Sequence, residues 1–178
     1  MNGLKLEHLL LEPLQQRWVT TEPAMNHAQL WEQSLQLAAG LQARGIQRLA
    51  VHLEDAGVLA IALLGAWRAG ASVLLPADLQ PQTRQRWADA VDAWLVDAAD
   101  LDALYQPPLS PAALDLDACQ LSLCTSGSSG EPKRIDKTLR QLANEVQALE
   151  TLWGADLKDA CIIGSVATQH IYGLLFRV

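Results

Sequence analysis

Apolar residues recur at helical spacing from Met25 to Arg44, where Leu30, Trp31, Leu35, Ala38 and Leu41 share one stripe and Gly45 follows as a stop. The period then changes. Arg48 to Leu53 is a short apolar run that predicts a strand, and Glu54-Asp55 supplies acids where the next helix begins. That helix is predicted to run to about Arg68, with Gly70 closing it. Ala71 to Leu75 predicts a second strand, stopped by Pro76. A strand, a nearly all-apolar helix and another strand predict a parallel pair with its helix packed on one face.

The remainder is less regular. Thr83 to Ala90 predicts a short helix, and Ala93 to Val96 a brief strand. Residues 99–117 carry Pro107, Pro108 and Pro111 and predict mainly connection. Cys119 to Cys124 alternates apolar and polar positions, as a strand does. Thr138 is placed to cap a helix from Leu139 to about Trp153, with Leu142, Val146 and Leu149 on one face and Gly154 at its end. Ala160 to Val166 predicts a last strand, and Gln169 to Phe176 the start of a helix. The pattern is that of an α/β domain.

Composition narrows the function. The chain has 178 residues, half of them apolar, and a formal net charge of −7. That length suits one domain with its own core. The acidic balance disfavours a nucleic-acid partner and attachment to an anionic membrane surface. The longest uncharged apolar stretch, Ala56 to Trp67, has 12 residues. A bilayer span needs about 20, so no membrane insertion is expected. No export signal is visible at the start. Cys119, Cys124 and Cys161 cannot all pair, form no CxxC and accompany only four scattered His. Buried thiols in a reducing, cytoplasmic setting are expected rather than a zinc site or disulfide framework. The charge is uneven: Asp78 to Asp117 holds eight acids and two Arg, whereas Lys133 to Arg140 holds four bases and one acid.

That basic stretch follows Thr125-Ser126-Gly127-Ser128-Ser129-Gly130-Glu131-Pro132-Lys133. Glycines allow backbone amides to converge, Ser and Thr add hydroxyl donors, and Lys133 adds charge; a concavity of this kind suits phosphate oxygens. A plain surface turn is the bland alternative. The spacing is not that of a Walker A loop, because Gly127 and Gly130 are too close and the Lys follows Pro. Nor is it a nucleophile elbow, which disfavours a serine hydrolase using Ser128 with His170.

Thr125 to Lys133 resembles the phosphate-binding motif of adenylate-forming (AMP-binding) enzymes, the superfamily of acyl-CoA synthetases, luciferases and peptide-synthetase adenylation domains. Leu30 to Gly45 is similar to that family's early helix, Leu49 to Leu75, with Leu63 to Ala71 inside it, to its first strand–helix–strand unit and R-A-G-A turn, and Gln169-His170-Ile171-Tyr172-Gly173 to its aromatic/His motif. The resemblance implies the N-terminal part of the family's large lobe: a mostly parallel sheet with covering helices, truncated. Residues 1–178 are expected to be a partial AMP-binding domain without the C-terminal catalytic lobe.

The resemblance further implies a ligase that joins a carboxylate to the α-phosphate of ATP with Mg²⁺ and passes the acyl group to the thiol of CoA or an acyl carrier protein. Thr125, Ser126, Gly127, Ser128, Ser129, Gly130 and Lys133 would hold the β- and γ-phosphates. His170 would lie near the carboxylate and α-phosphate, and Tyr172 and Gly173 would shape the acyl pocket. Arg134 stands where many relatives have Gly, Lys137-Thr138 where many have a Ser-His pair, and Met25-Asn26-His27 replaces the usual helix start. These departures suggest a divergent branch acting on an aryl or fatty acid. The sequence ends on an apolar stretch without the later adenine, ribose and hinge motifs. The chain alone is therefore expected to be inactive, to bind phosphate weakly at most, and to self-associate through uncovered apolar surface. The alternative is a non-catalytic phosphate-binding or interaction module descended from the family.

Overall fold

A computed structural model describes residues 5–125, 133–157 and 160–178. A 3₁₀ turn at Leu6–His8 leads to a hairpin of β1 (Trp18–Thr21) and β2 (Ala24–Asn26). Then come α1 (His27–Ala43), β3 (Arg48–Val51), α2 (Ala56–Ala69), β4 (Ser72–Leu75), α3 (Pro81–Trp87) and β5 (Ala93–Leu95). The rest is α4 (Ala98–Asp102), β6 (Gln120–Thr125), β7 (Lys133–Thr138), α5 (Leu139–Trp153) and α6 (Ile171–Arg177).

Local chemistry sets most of these limits. Asn26 has extended backbone angles and shares a reciprocal capping box with Gln29, both bonds 2.9 Å, so α1 begins one residue later and Met25 and Asn26 belong to β2. Asp55 caps α2 by accepting from the Val58 N–H at 2.8 Å. Gly45 and Gly70 end α1 and α2 at φ of 66° and 83°, a conformation that a side chain would strain. Thr138 and Gln141 form a second capping box at the start of α5.

The main sheet has the order β5-β3-β4-β6-β7. The first four strands are parallel, and β7 returns antiparallel to β6 with Leu123 opposite Ile135. Alternate residues face opposite layers. Leu49, Val51, Val73, Leu75, Leu121 and Leu123 join the main core under α1 and α2. Ala50 and Leu74 face the other way with Trp87 of α3, Trp94 and Cys124. Helix packing on the larger layer is close: a Cβ on Gly65 of α2 would meet the Leu37 side chain and the Ser34 carbonyl of α1 within about 3 Å. The Trp67 indole donates to the Gln120 carbonyl at 3.1 Å, tying α2 to the start of β6.

Three expectations need correction. Residues 133–138 form a strand that the sequence pattern does not announce, because β7 is a sheet edge and only Ile135 among Lys133–Lys137 is apolar. Ala160 to Val166 is not a strand: the segment is irregular and Ile163 is 93% exposed. Its β-branched residues have strand propensity, but no strand among the described residues pairs with it. The cysteines also differ: Cys119 is buried and Cys124 half-buried, but Cys161 is exposed. All three are free thiols.

Candidate functional site

In an open parallel sheet the strands' carboxyl ends share one edge, and a crevice forms where adjacent connections leave to opposite faces. Here that point lies between β3, whose connection α2 covers the larger layer, and β4, whose connection α3 covers the smaller one. The carboxyl end of β6 lies beside β4. Strand spacing of about 4.8 Å puts it roughly 10 Å from the end of β3.

The glycine/serine segment leaves from this edge. Thr125 ends β6, Lys133 begins β7, and the two are opposite one another in the antiparallel register. Lys133 therefore stands at the base of a hairpin turn. Ser126, Gly127, Ser128, Ser129 and Gly130 lie outside the described residues. Burial pushes the Cys124 thiol, one residue before Thr125, up; the Arg134 and Arg86 charges oppose that shift and the Asp136 charge adds to it. Ser122 and Arg134 each donate to Oδ1 of Asp136 at 2.6 Å. Those bonds hold the Asp136 carboxyl below its usual range, the serine hydroxyl contributing most.

The His170 segment reaches the same edge by another route. Leu53 follows β3 and leaves its carbonyl at the end of the strand. The Thr168 hydroxyl and the Gln169 side-chain amide both donate to that oxygen at 2.7 Å, and both residues are buried. His170 comes next. It is exposed and caps α6, its Nδ1 accepting from the Tyr172 N–H at 3.3 Å. In the neutral ring the Nε2 then carries the hydrogen. Tyr172 stacks on the imidazole with 5.4 Å between centroids and 25° between planes, and is 62% exposed. Gly173 is buried where a Cβ would lie 2.0 Å from the Ala167 carbonyl oxygen, so close packing requires glycine there.

The structure thus brings the base of the turn (Thr125 and Lys133) and the His170–Gly173 group to one edge of the sheet. Sequence reasoning missed Thr168, which together with Gln169 of the aromatic/His motif positions His170, and also His52 and Asp78 at the ends of β3 and β4. The Asp78 carboxylate accepts from the Thr83 hydroxyl at 2.5 Å and the Gln80 N–H at 3.0 Å. These bonds lower its pKa, and the His52 charge adds to them. The signal for Asp78 was its place just ahead of Pro81 and Thr83, an Asx-turn pattern. Nothing in the local sequence marks Thr168, whose partner is 115 residues away in the chain.

No protein-family model matches the chain, and no curated protein matches it. Solved structures do. An o-succinylbenzoate CoA synthetase (MenE) from Bacillus subtilis, in complex with the acyl-adenylate intermediate OSB-AMP, matches 97% of this chain at 16% identity and a TM-score of 0.71, over 41% of its own length. ATP-bound MatB from Rhodopseudomonas palustris matches 98% of it at 19% identity and a TM-score of 0.71, over 44% of its own length. The N-terminal subdomain of Klebsiella oxytoca NpsA, in complex with anthranilyl-AMSN, matches 69% at 22% identity and a TM-score of 0.52, over 37% of that chain. The chain spans less than half the length of each of these structures. At such identities the likeness is one of fold. The fold is that of the N-terminal lobe of adenylate-forming enzymes, a mixed α/β architecture around a mostly parallel five-stranded sheet. It is the fold that the residues of the Thr125–Lys133 motif imply.

Proposed function

We propose that this chain is the N-terminal portion of an ATP-dependent carboxylic acid ligase, one that forms an acyl-adenylate and hands the acyl group to CoA or a carrier-protein thiol. The observation that carries this reading is the β6–β7 hairpin. Its paired ends, Thr125 and Lys133, bracket a T-S-G-S-S-G-E-P-K sequence at the sheet edge where the His170 segment is anchored. Amides and hydroxyls of Thr125 to Gly130 would hold the β- and γ-phosphates, with Lys133 offsetting their charge. His170 would donate toward the acid and the α-phosphate, and Tyr172 and Gly173 would border the acyl group. The acid would be an aryl or fatty acid, the class suggested by the departures from the motif pattern noted above.

Lys133 opposite Thr125 and Arg134 opposite Cys124 put two cationic residues at the end of β6, which fits an anionic nucleotide. Mg²⁺ would accompany the nucleotide phosphates. Its chemistry there is to neutralise phosphate charge. Residues 1–178 would hold the phosphate-binding part of the domain and, without the rest, complete no adenylation. A cytoplasmic setting is consistent with the free thiols. No described helix is long and apolar enough to cross a membrane. Exposed apolar residues, among them Trp18, Leu152 and Ile163, favour self-association.

The test is calorimetry of the 178-residue chain with ATP-Mg and with pyrophosphate. Measurable heat is expected, and Lys133→Ala should weaken binding about ten- to a hundredfold, the usual cost of a lost charged hydrogen bond. No heat at millimolar ligand would remove the preformed phosphate site. A second reading from the same motif is a binding module that kept the loop without the chemistry. Coding sequence continuing past Val178 into adenine- and ribose-binding motifs supports the ligase, and an immediate stop supports the module.

A further inference from the structure

β7 forms one end of the sheet order and pairs with β6 on one side only. Its outer backbone edge over residues 134–137 meets no other strand among the described residues, and residues 133–136 are exposed. An edge of this length is a template for another strand. We propose that its occupant is β7 of a second copy of this chain, paired antiparallel about Ile135. This names the contact for the self-association proposed above and does not depend on the ligase reading.

Symmetry selects the register. A two-fold axis relating antiparallel edge strands runs normal to the sheet and is centred on a residue that faces its own copy. Among positions 134 to 137, centring on Arg134, Asp136 or Lys137 would set a charge against itself. Centring on Ile135 sets apolar against apolar and places Arg134 opposite Asp136 of the second copy, twice. Unlike charges directly opposite on neighbouring strands attract, and like charges repel. Asp136 can serve both chains, because its bonds from Ser122 and Arg134 fall on Oδ1 and leave Oδ2 to accept. The one like-charge approach is Lys133 to Lys137 of the second copy, and Glu145 already neutralises Lys137.

The layers agree with this register. Ile135 lies opposite Leu123 and so on the face of the larger core, and it is 43% exposed. Helix α5 packs on that face through Leu139 and Leu142 and leaves Val146, Leu152 and Trp153 exposed. An axis normal to the sheet keeps both copies of α5 on the same side. The two five-stranded sheets would become one, continuous through the two copies of β7.

The experiment uses the 178-residue chain with Cys161→Ser, which removes the exposed thiol. Sedimentation velocity should show a dimer. In this background Ile135→Cys should cross-link to itself on mild oxidation, since opposed Cα atoms about 4.5–5.5 Å apart lie within disulfide reach. Arg134→Cys alone should not, being offset from its own copy by about 8 Å along and across the strands. Arg134→Asp should weaken dimerisation at least tenfold, and adding Asp136→Arg should restore it. Circular dichroism confirms that each variant folds. A chain that stays monomeric at every concentration overturns both the self-association and the seam. A dimer that fails to cross-link at Ile135, or that ignores the charge reversal or its rescue, overturns the seam alone.

Discussion

The anchoring of the His170 segment gives a prediction with a definite arithmetic. Two donors, Thr168 Oγ1 and Gln169 Nε2, reach one acceptor, the Leu53 carbonyl, each at 2.7 Å in a buried setting. Thr168→Val keeps the shape and deletes one bond, at a net cost of about 0.5–1.5 kcal/mol. Gln169→Leu deletes the other at a similar cost. In either single variant the Leu53 oxygen keeps a partner. In the double variant it keeps neither, and an unsatisfied buried carbonyl adds about 1–3 kcal/mol. The double variant should therefore lose more than the sum of the singles, by at least about 1 kcal/mol. Urea unfolding followed by tryptophan fluorescence and circular dichroism measures the three changes, with the urea slope checked for constancy. Amide exchange at Tyr172 and Leu174 reports whether α6 opens locally instead. Additivity within about 0.5 kcal/mol, with no change in exchange, would refute the shared-acceptor argument.

Further expectations are more direct. Gly173→Ala places a methyl group 2.0 Å from the Ala167 oxygen and should destabilise α6 by about 1–3 kcal/mol, seen as faster exchange across Ile171–Arg177. Leu121→Ala, at a site 1% exposed in the centre of β6, should lower unfolding stability by about 2–5 kcal/mol in urea titration. His27 is 1% exposed, and burial first, then the Arg17 charge, lowers its pKa from 6.5 against an opposing pull from the Leu9 carbonyl. With a lowered folded pKa the unfolded chain binds the proton first. Stability is thus full above 6.5 and declines as pH falls toward the folded value. His27→Gln should flatten that slope in urea titrations across this range, and an unchanged slope would mean another group controls it.

Much of the fold was legible because its signals are local. The stripe from Leu30 to Leu41, the apolar run between Asp55 and Gly70, and the Thr138 cap correspond to α1, α2 and α5 within a residue or two. What could not be read depends on partners far away in the chain. β7 is polar on both faces, and only its pairing to β6 makes it a strand. The 160–166 segment is the converse case, with strand propensity and no pairing. At the site, the glycine/serine run and His170 stand out by composition and by resemblance. Thr168 does not, and the anchoring role of Gln169 becomes visible only once the Leu53 carbonyl is seen beside both.

The hairpin also decides how an anion would be held. In a strand–loop–helix phosphate site the helix N-terminus supplies free amides and the positive end of a dipole. Here the chain turns back as β7, and α5 begins only after six more residues. At about 3.4 Å per residue the helix start is roughly 20 Å from the turn. A helix dipole fades within its first turn, and the amides at this start are already engaged by Thr138 and Gln141. Helix α5 would therefore contribute nothing to the phosphate site proposed above. There the full charges nearest the end of β6 would be Lys133, opposite Thr125, and Arg134, opposite Cys124. Arg134 is itself paired at 2.6 Å with Asp136, two residues along the same strand.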